Sequence, residues 1–163
     1  MNHEESNLQK QCVAWFRAQY PQYAMLLIHP INEGSGHSTI DRRRQGIHKA
    51  EGAVAGVPDL LLFMSATCPC EDYYTIYGCL GIEFKTLKGK QSQEQKDFQK
   101  IFEAAGNKYV VIRSFEEFKR VMNEYISYVS DIERKHIAST HVEIVQAAEQ
   151  REKEKFYKII GKK

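Results

Sequence analysis

Gly81-Ile82-Glu83-Phe84-Lys85 is the stretch on which the fold turns. Ile82 and Phe84 alternate with Glu83 and Lys85, the two-residue period of a β-strand with one apolar and one charged face. The strand pattern reaches back to Tyr74, so the spacing predicts a strand over Tyr74–Lys85. Before it, Leu60-Leu61-Leu62-Phe63 follows Pro58-Asp59 and reads as another strand, with residues 65–73 as a turn region. After it, Ser92 is a suitable N-cap for a helix running to about Ala105, and Gly106 suits the C′ position. Tyr109-Val110-Val111-Ile112 reads as a strand, and Ser114 caps a further helix through about Val129.

Working outward, Leu8, Cys12, Trp15 and Phe16 recur at helical spacing, which predicts an amphipathic helix over Glu4–Tyr20, ended by Pro21. Ala24–His29 is a short apolar run, read as a buried strand. Residues 31–56 are glycine-rich and polar and carry Arg42-Arg43-Arg44, so they read as a long loop, with a short helix near Gln45–Glu51. The core order is therefore αβββαβ with one more helix: an α/β domain around a central mixed sheet. From residue 130 the apolar positions thin out, which divides the chain into a domain over 1–129 and a C-terminal helical extension over 130–163. A solvated appendage, a dimer contact and a nucleic-acid arm all fit that extension.

Composition excludes several classes. With 42% hydrophobic and 27% charged residues the chain has material for a real core, unlike a disordered segment. A net charge of +2 does not by itself announce a nucleic-acid binder. There is no apolar run long enough to span a bilayer, and Met1-Asn2-His3-Glu4-Glu5 lacks the order of a signal peptide. The expectation is a cytoplasmic protein whose Cys12, Cys68, Cys70 and Cys79 are thiols. Cys68-Pro69-Cys70 with Cys79 has C-x-C spacing and no nearby fourth ligand, so incidental cysteines on a hairpin are a better reading than zinc.

The chemistry-bearing constellation is Pro58-Asp59 followed by Glu83-Phe84-Lys85. A carboxylate inside an apolar strand costs several kcal/mol unless compensated, and two brought together repel. A divalent cation between Asp59 and Glu83 removes both problems. Carboxylate oxygens, with the Phe84 backbone carbonyl and waters, suit Mg²⁺ or Mn²⁺. Lys85, on the same strand face as Glu83, can orient a water and contact a phosphate. Alone, Glu-x-Lys is a common solvated or salt-bridged sheet face. The surroundings sharpen it: Lys88, Lys90 and Lys96 crowd the start of the next helix, and Arg42, Arg43, Arg44 and Lys49 stand in the loop before Asp59. Both basic groups suit a phosphate backbone, although a solvated loop is the bland alternative for the second.

At this point Gly52-Ala53-Val54-Ala55-Gly56-Val57-Pro58-Asp59-Leu60, Ile82-Glu83-Phe84-Lys85 and Gly89-Lys90-Gln91-Ser92-Gln93-Glu94-Gln95, in that order, resemble the virus-type replication–repair nuclease (VRR-NUC) domain of the PD-(D/E)XK superfamily. The resemblance covers about residues 4–128. It implies a restriction-endonuclease-like fold, with Asp59 and Glu83 as metal-binding carboxylates, Lys85 as the catalytic lysine and Gln95 as a supporting glutamine. It also implies an acidic residue on the N-terminal helix, Glu5 in preference to Glu4, and a site lined by Asn32 and Glu33. The activity it implies is metal-dependent endonucleolytic cleavage of DNA, selective for Holliday junctions or flaps, in phage or bacterial repair, recombination or replication. A homodimer would match the two-fold symmetry of a junction. The competing reading is a module that binds nucleic acid without cutting it.

Overall fold

The computed structural model describes residues 3–30, 47, 50–69 and 74–160. The chain divides into two compact units, Met1–Val129 and Ser130–Lys163.

The first unit opens with helix α1, His3–Gln19, which buries Cys12 and Phe16 completely. Burying a side chain the size of Phe16 contributes about 1.5–3 kcal/mol. Glu4 and Glu5 in the first turn and Arg17 in the last suit the helix dipole. Pro21 cannot continue the helix. It opens a 3₁₀ turn, Pro21–Leu26, leaving only Leu27–Ile28 as strand β1. The strand expected over Ala24–His29 is thus mostly helical turn, because the proline presets φ for one.

The central sheet runs β1, β2 (Leu60–Leu62), β5 (Leu80–Phe84), β6 (Lys108–Ile112). The β1–β2 and β2–β5 pairs are antiparallel; β5 and β6 are parallel. Parallel neighbours need a crossover. Helix α2, Gln93–Ala104, supplies it, capped by Ser92 and closed by Gly106 at φ +80°. Helix α3, Phe115–Ser127, follows, with Ser114 Oγ accepting the Glu117 N–H. All five residues of β5 are buried, as expected of a strand covered on both faces. One face carries Ile82 and Phe84, the latter 6.0 Å ring to ring from Phe118 of α3. The other carries Gly81 and Glu83. At Gly81 a methyl group would meet Phe102 of α2, Pro58 and Tyr109 at 3.1–3.3 Å.

Two expectations need correction. The strand over Tyr74–Lys85 is broken at Gly78-Cys79 into β4 (Tyr74–Tyr77) and β5. Within the supposed turn, Ala66–Pro69 forms β3, which pairs antiparallel with β4 in a separate two-stranded sheet. Ala66 and Cys68 are buried while Thr67 and Pro69 are exposed, so β3 is a genuine one-faced strand whose small residues hid its period. Cys12 and Cys79 are free thiols, and burial pushes Cys12 up to about 12 and Cys79 to about 11. Cys70 lies outside the described residues.

The second unit is one helix, α4, Asp131–Ile160. Its 30 residues span about 45 Å, and Ile132, Val142, Phe156 and Tyr157 on it are largely exposed. Among the described residues no helix is long and apolar enough to cross a membrane.

Candidate active site

The β2–β5 ladder pairs Leu60 with Ile82, so continuing it by one residue sets Asp59 across from Glu83. Residues directly opposed in an antiparallel pair project from the same face. Both are buried, Asp59 at 6% and Glu83 at 1% exposure, and they are the buried charged side chains of the described core. Asp59 Oδ2 accepts the Phe84 N–H at 2.8 Å, which fixes the carboxylate against β5. On the next same-face position, Lys85 Nζ donates to Glu83 Oε1 at 2.5 Å.

The approach to Asp59 explains its glycine. Gly56 has φ +82°, and a Cβ there would stand 2.2 Å from the Glu94 carbonyl oxygen in the first turn of α2. Only glycine lets the segment leading to Asp59 cross that helix so closely. The same turn carries Gln95, whose side chain does two things. Its Oε1 accepts the Ser92 N–H at 2.9 Å, completing a capping box, and its Nε2 donates to Glu83 Oε1 at 2.5 Å. Because the Ser92 N–H demands an oxygen, the amide nitrogen must face Glu83. Ser92 Oγ in return accepts the Gln95 N–H, so that N–H of the helix N-terminus is already engaged.

Electrostatics set the site apart from a structural ion pair. Burial is the main cause that raises the Asp59 carboxyl above the ordinary range. The Phe84 N–H, Lys85 and His29 oppose it, and Glu5 adds to it. Glu83 is raised first by burial and then by the charge of Asp59, against the pull of Lys85 and the Tyr109 hydroxyl. Glu5 joins from α1: its Oε1 accepts the Thr86 N–H at 3.1 Å. Glu5 thus acts on Asp59 and Asp59 on Glu83, while Lys85 pairs with Glu83 and attracts both buried acids. Among the described residues no three His, Cys, Asp or Glu side chains form a ready-made ligand set. Two carboxylates completed by carbonyl and water suit Mg²⁺, which keeps waters and seldom takes an all-protein cage. The donors therefore fit such an ion and do not fit a structural zinc.

A cavity of about 470 Å³ opens beside Lys85, lined also by Glu4, Glu5, Lys88 and Arg113. Of the residues singled out in the sequence, the structure gathers Asp59, Glu83, Lys85, Gln95 and Glu5, and sets Lys88 on this wall. Glu4 reaches the same wall from a more exposed position. Lys90 and Lys96 are exposed. Asn32, Glu33, Arg42, Arg43, Arg44 and Lys49 lie outside the described residues.

Four contributors escaped the sequence reading. Tyr109 on β6 stands 3.4 Å from Glu83 Oε2, its hydroxyl pushed up by burial and by that carboxylate. Arg113 Nη1 donates to the carbonyls of Thr86 at 2.5 Å and Gly89 at 2.9 Å, holding the turn after Lys85. His29 Nδ1 donates to the Asp59 main-chain oxygen at 2.6 Å, and Gln9 Nε2 reaches the same oxygen at 3.4 Å. Tyr109 carried a faint signal, a hydroxyl in an otherwise apolar strand; the other three carried none.

A solved structure described as a VRR_NUC domain protein aligns with this chain at a TM-score of 0.62. The chain has the VRR_NUC fold. The alignment covers 80% of this chain and 93% of that one at 19% identity. No family model matches the sequence, and no curated protein matches it. At that identity the likeness carries the VRR_NUC architecture, and the chemistry has to be argued from the residues.

Proposed function

We propose that this chain is a cytoplasmic, Mg²⁺- or Mn²⁺-dependent nuclease that hydrolyses phosphodiester bonds in DNA. The observation that carries the reading is the buried pair Asp59 and Glu83, opposed on adjacent strands with more negative charge than Lys85 offsets. Asp59, Glu83 and the Phe84 carbonyl would hold the ion. When bound, it supplies Lewis acidity toward the scissile phosphate and a lowered pKa for a coordinated water. Lys85 orients that water and meets the phosphate as a point charge. Gln95 and Tyr109 hold Glu83 in place. Glu5 and Arg113 fix the main chain of the turn after Lys85, which keeps the ammonium at the mouth of the cavity. Lys88, on the cavity wall, suits a neighbouring phosphate, and Lys90 and Lys96 extend the positive surface.

Branched DNA, with a four-way junction as the leading form, is the substrate class we favour, cut by a homodimer in repair, recombination or replication. A chain with one such site needs a second copy to cut two strands symmetrically. The test is cleavage of supercoiled plasmid and of a four-way junction across a Mg²⁺ and Mn²⁺ titration, with DNA binding measured separately in chelator. Wild-type protein should cut only with the metal. Asp59→Asn and Lys85→Ala should each lower the rate by about 10²–10³-fold or more while still binding DNA. Cutting by Asp59→Asn at the wild-type rate would sink the assignment. Binding without any cutting by the wild type would point to the non-cleaving module instead.

A further inference from the structure

A second cavity, of about 440 Å³, lies between α1 and β1, the outermost strand of the described sheet. Ser6, Gln9, Lys10 and Arg17 of α1 form one wall, and Leu27 and His29 form the other. Among the described residues none of its lining side chains is acidic. Lys10 and Arg17 are exposed, and among the described residues neither is paired with a carboxylate. Four surface cations on α3 and α4 do have such partners. Lys119, Arg120, Arg134 and Lys155 each have an acidic partner one helical turn away.

The cavity is wired to the proposed site. His29 and Gln9 both stand on its wall, and both hydrogen-bond the main-chain oxygen of Asp59. Lys10 and Arg17 are seven residues apart, two helical turns, so their stems lie on one face about 10 Å apart along the axis. Two cations at that separation can each meet a different phosphate of one strand.

From these observations we infer that the α1–β1 groove is a phosphodiester-backbone site for DNA flanking the cut, with Lys10 and Arg17 on the phosphates and His29 linking it to Asp59. The inference rests on the nuclease reading above and adds to it the path by which the DNA leaves the site. Ser6 and Gln9 supply neutral hydrogen-bond donors of the kind that position a backbone without reading sequence. Lys10 and Arg17 are assigned here to phosphates, contacts that fix the register of the DNA and carry no sequence information directly.

The experiment is a salt series of DNA binding in chelator, read by fluorescence anisotropy on a labelled duplex, for the wild type, the double variant Lys10→Ala/Arg17→Ala and the reversal Lys10→Glu/Arg17→Glu. A matched loss of two cations at Lys119→Ala/Arg120→Ala is the control, and thermal melts check that each variant folds. Each phosphate contact contributes about 0.9 to the slope of log affinity against log salt, so the groove double variant should lose close to 2. Its affinity deficit relative to wild type should then grow about ten-fold between about 200 mM and about 50 mM salt, more for the reversal, and should be absent for the control. An unchanged slope in the folded double variant, or an equal loss in the control, overturns the groove while leaving the nuclease reading intact. Wild-type protein that neither binds nor cuts DNA overturns both.

Discussion

Replacing Asp59 by asparagine should make the metal-free protein more stable, and increasingly so as pH rises. Asparagine keeps an oxygen to accept the Phe84 N–H now held at 2.8 Å, so the substitution removes charge without removing the hydrogen bond. Directly opposed strand residues place their carboxylates on the order of 5 Å apart. At an effective dielectric of about 20 that is about 3 kcal/mol of repulsion with Glu83. Lys85 returns part of this by attracting Asp59, so a net gain of about 1–2 kcal/mol is expected at neutral pH. The sign with pH follows from linkage. Burial raises both carboxyls in the native state, so their favourable contribution is complete below the ordinary carboxylate range and is lost as pH climbs through the raised values. In chelator the two proteins should melt together near about pH 4, and the variant should melt about 2–8 °C higher by about pH 8. Saturating Mg²⁺ or Mn²⁺ should reverse the order. A ligand at 100 times its dissociation constant stabilises the native state by about 2.7 kcal/mol, and the variant should forgo most of that. Circular dichroism melts across that pH range, with and without metal, read all of it. A variant less stable than wild type at high pH in chelator would refute the claim that this pair is held together against its own repulsion.

Gln95 separates its two roles by substitution. Gln95→Ala should lose both the cap and the Glu83 contact, costing about 1 kcal/mol in melting experiments and about 10–100-fold in cleavage rate. Gln95→Glu keeps an acceptor for the Ser92 N–H but sets a carboxylate against Glu83. Its rate should fall as far while its helix cap survives, and equal rates in wild type and Gln95→Glu would show that the donor to Glu83 is dispensable. Gly56→Ala should be strongly destabilising. The positive φ alone costs about 1–2 kcal/mol, and its Cβ would meet the Glu94 carbonyl at 2.2 Å, so chemical denaturation should show a loss well above 2 kcal/mol.

The parts of this fold that were legible in the sequence are those where one residue forces one conformation. Ser92 with Gln95, Ser114, Pro21 and Gly106 each mark a helix end by local chemistry, and the structure puts the ends there. The alternation Ile82-Glu83-Phe84 marked β5 because a buried strand with one charged face has few other readings. What stayed hidden depends on partners distant in sequence. Ala66–Pro69 has no strong strand former except Thr67, and it is a strand because β4 lies beside it and the Tyr128 carbonyl accepts the Thr67 N–H. His29 and Arg113 matter through main-chain oxygens, and any residue supplies those. The site splits the same way. Asp59, Glu83 and Lys85 were visible as charges in apolar surroundings, whereas Tyr109 entered only through the parallel pairing of β6 with β5.

The two short stretches that bracket the site, Gly56-Val57-Pro58-Asp59 and Ser92-Gln93-Glu94-Gln95, are far apart in sequence yet form one mechanical unit. Gly56 rests on the Glu94 carbonyl, so the path into Asp59 is set by the first turn of α2. That turn is itself set by the Ser92–Gln95 capping box, and Gln95 spends its remaining donor on Glu83. The position of each carboxylate is therefore referred to the same helix end, one through backbone contact and the other through an amide. A shift of α2 moves both together and preserves their spacing, which is the quantity a shared ion depends on. This explains why glycine stands at 56 and an amide at 95: a side chain at the first would push Asp59 away from the helix, and a hydrocarbon at the second would release Glu83 from it. The sheet supplies the opposition of the two acids, and the helix end supplies the tolerance.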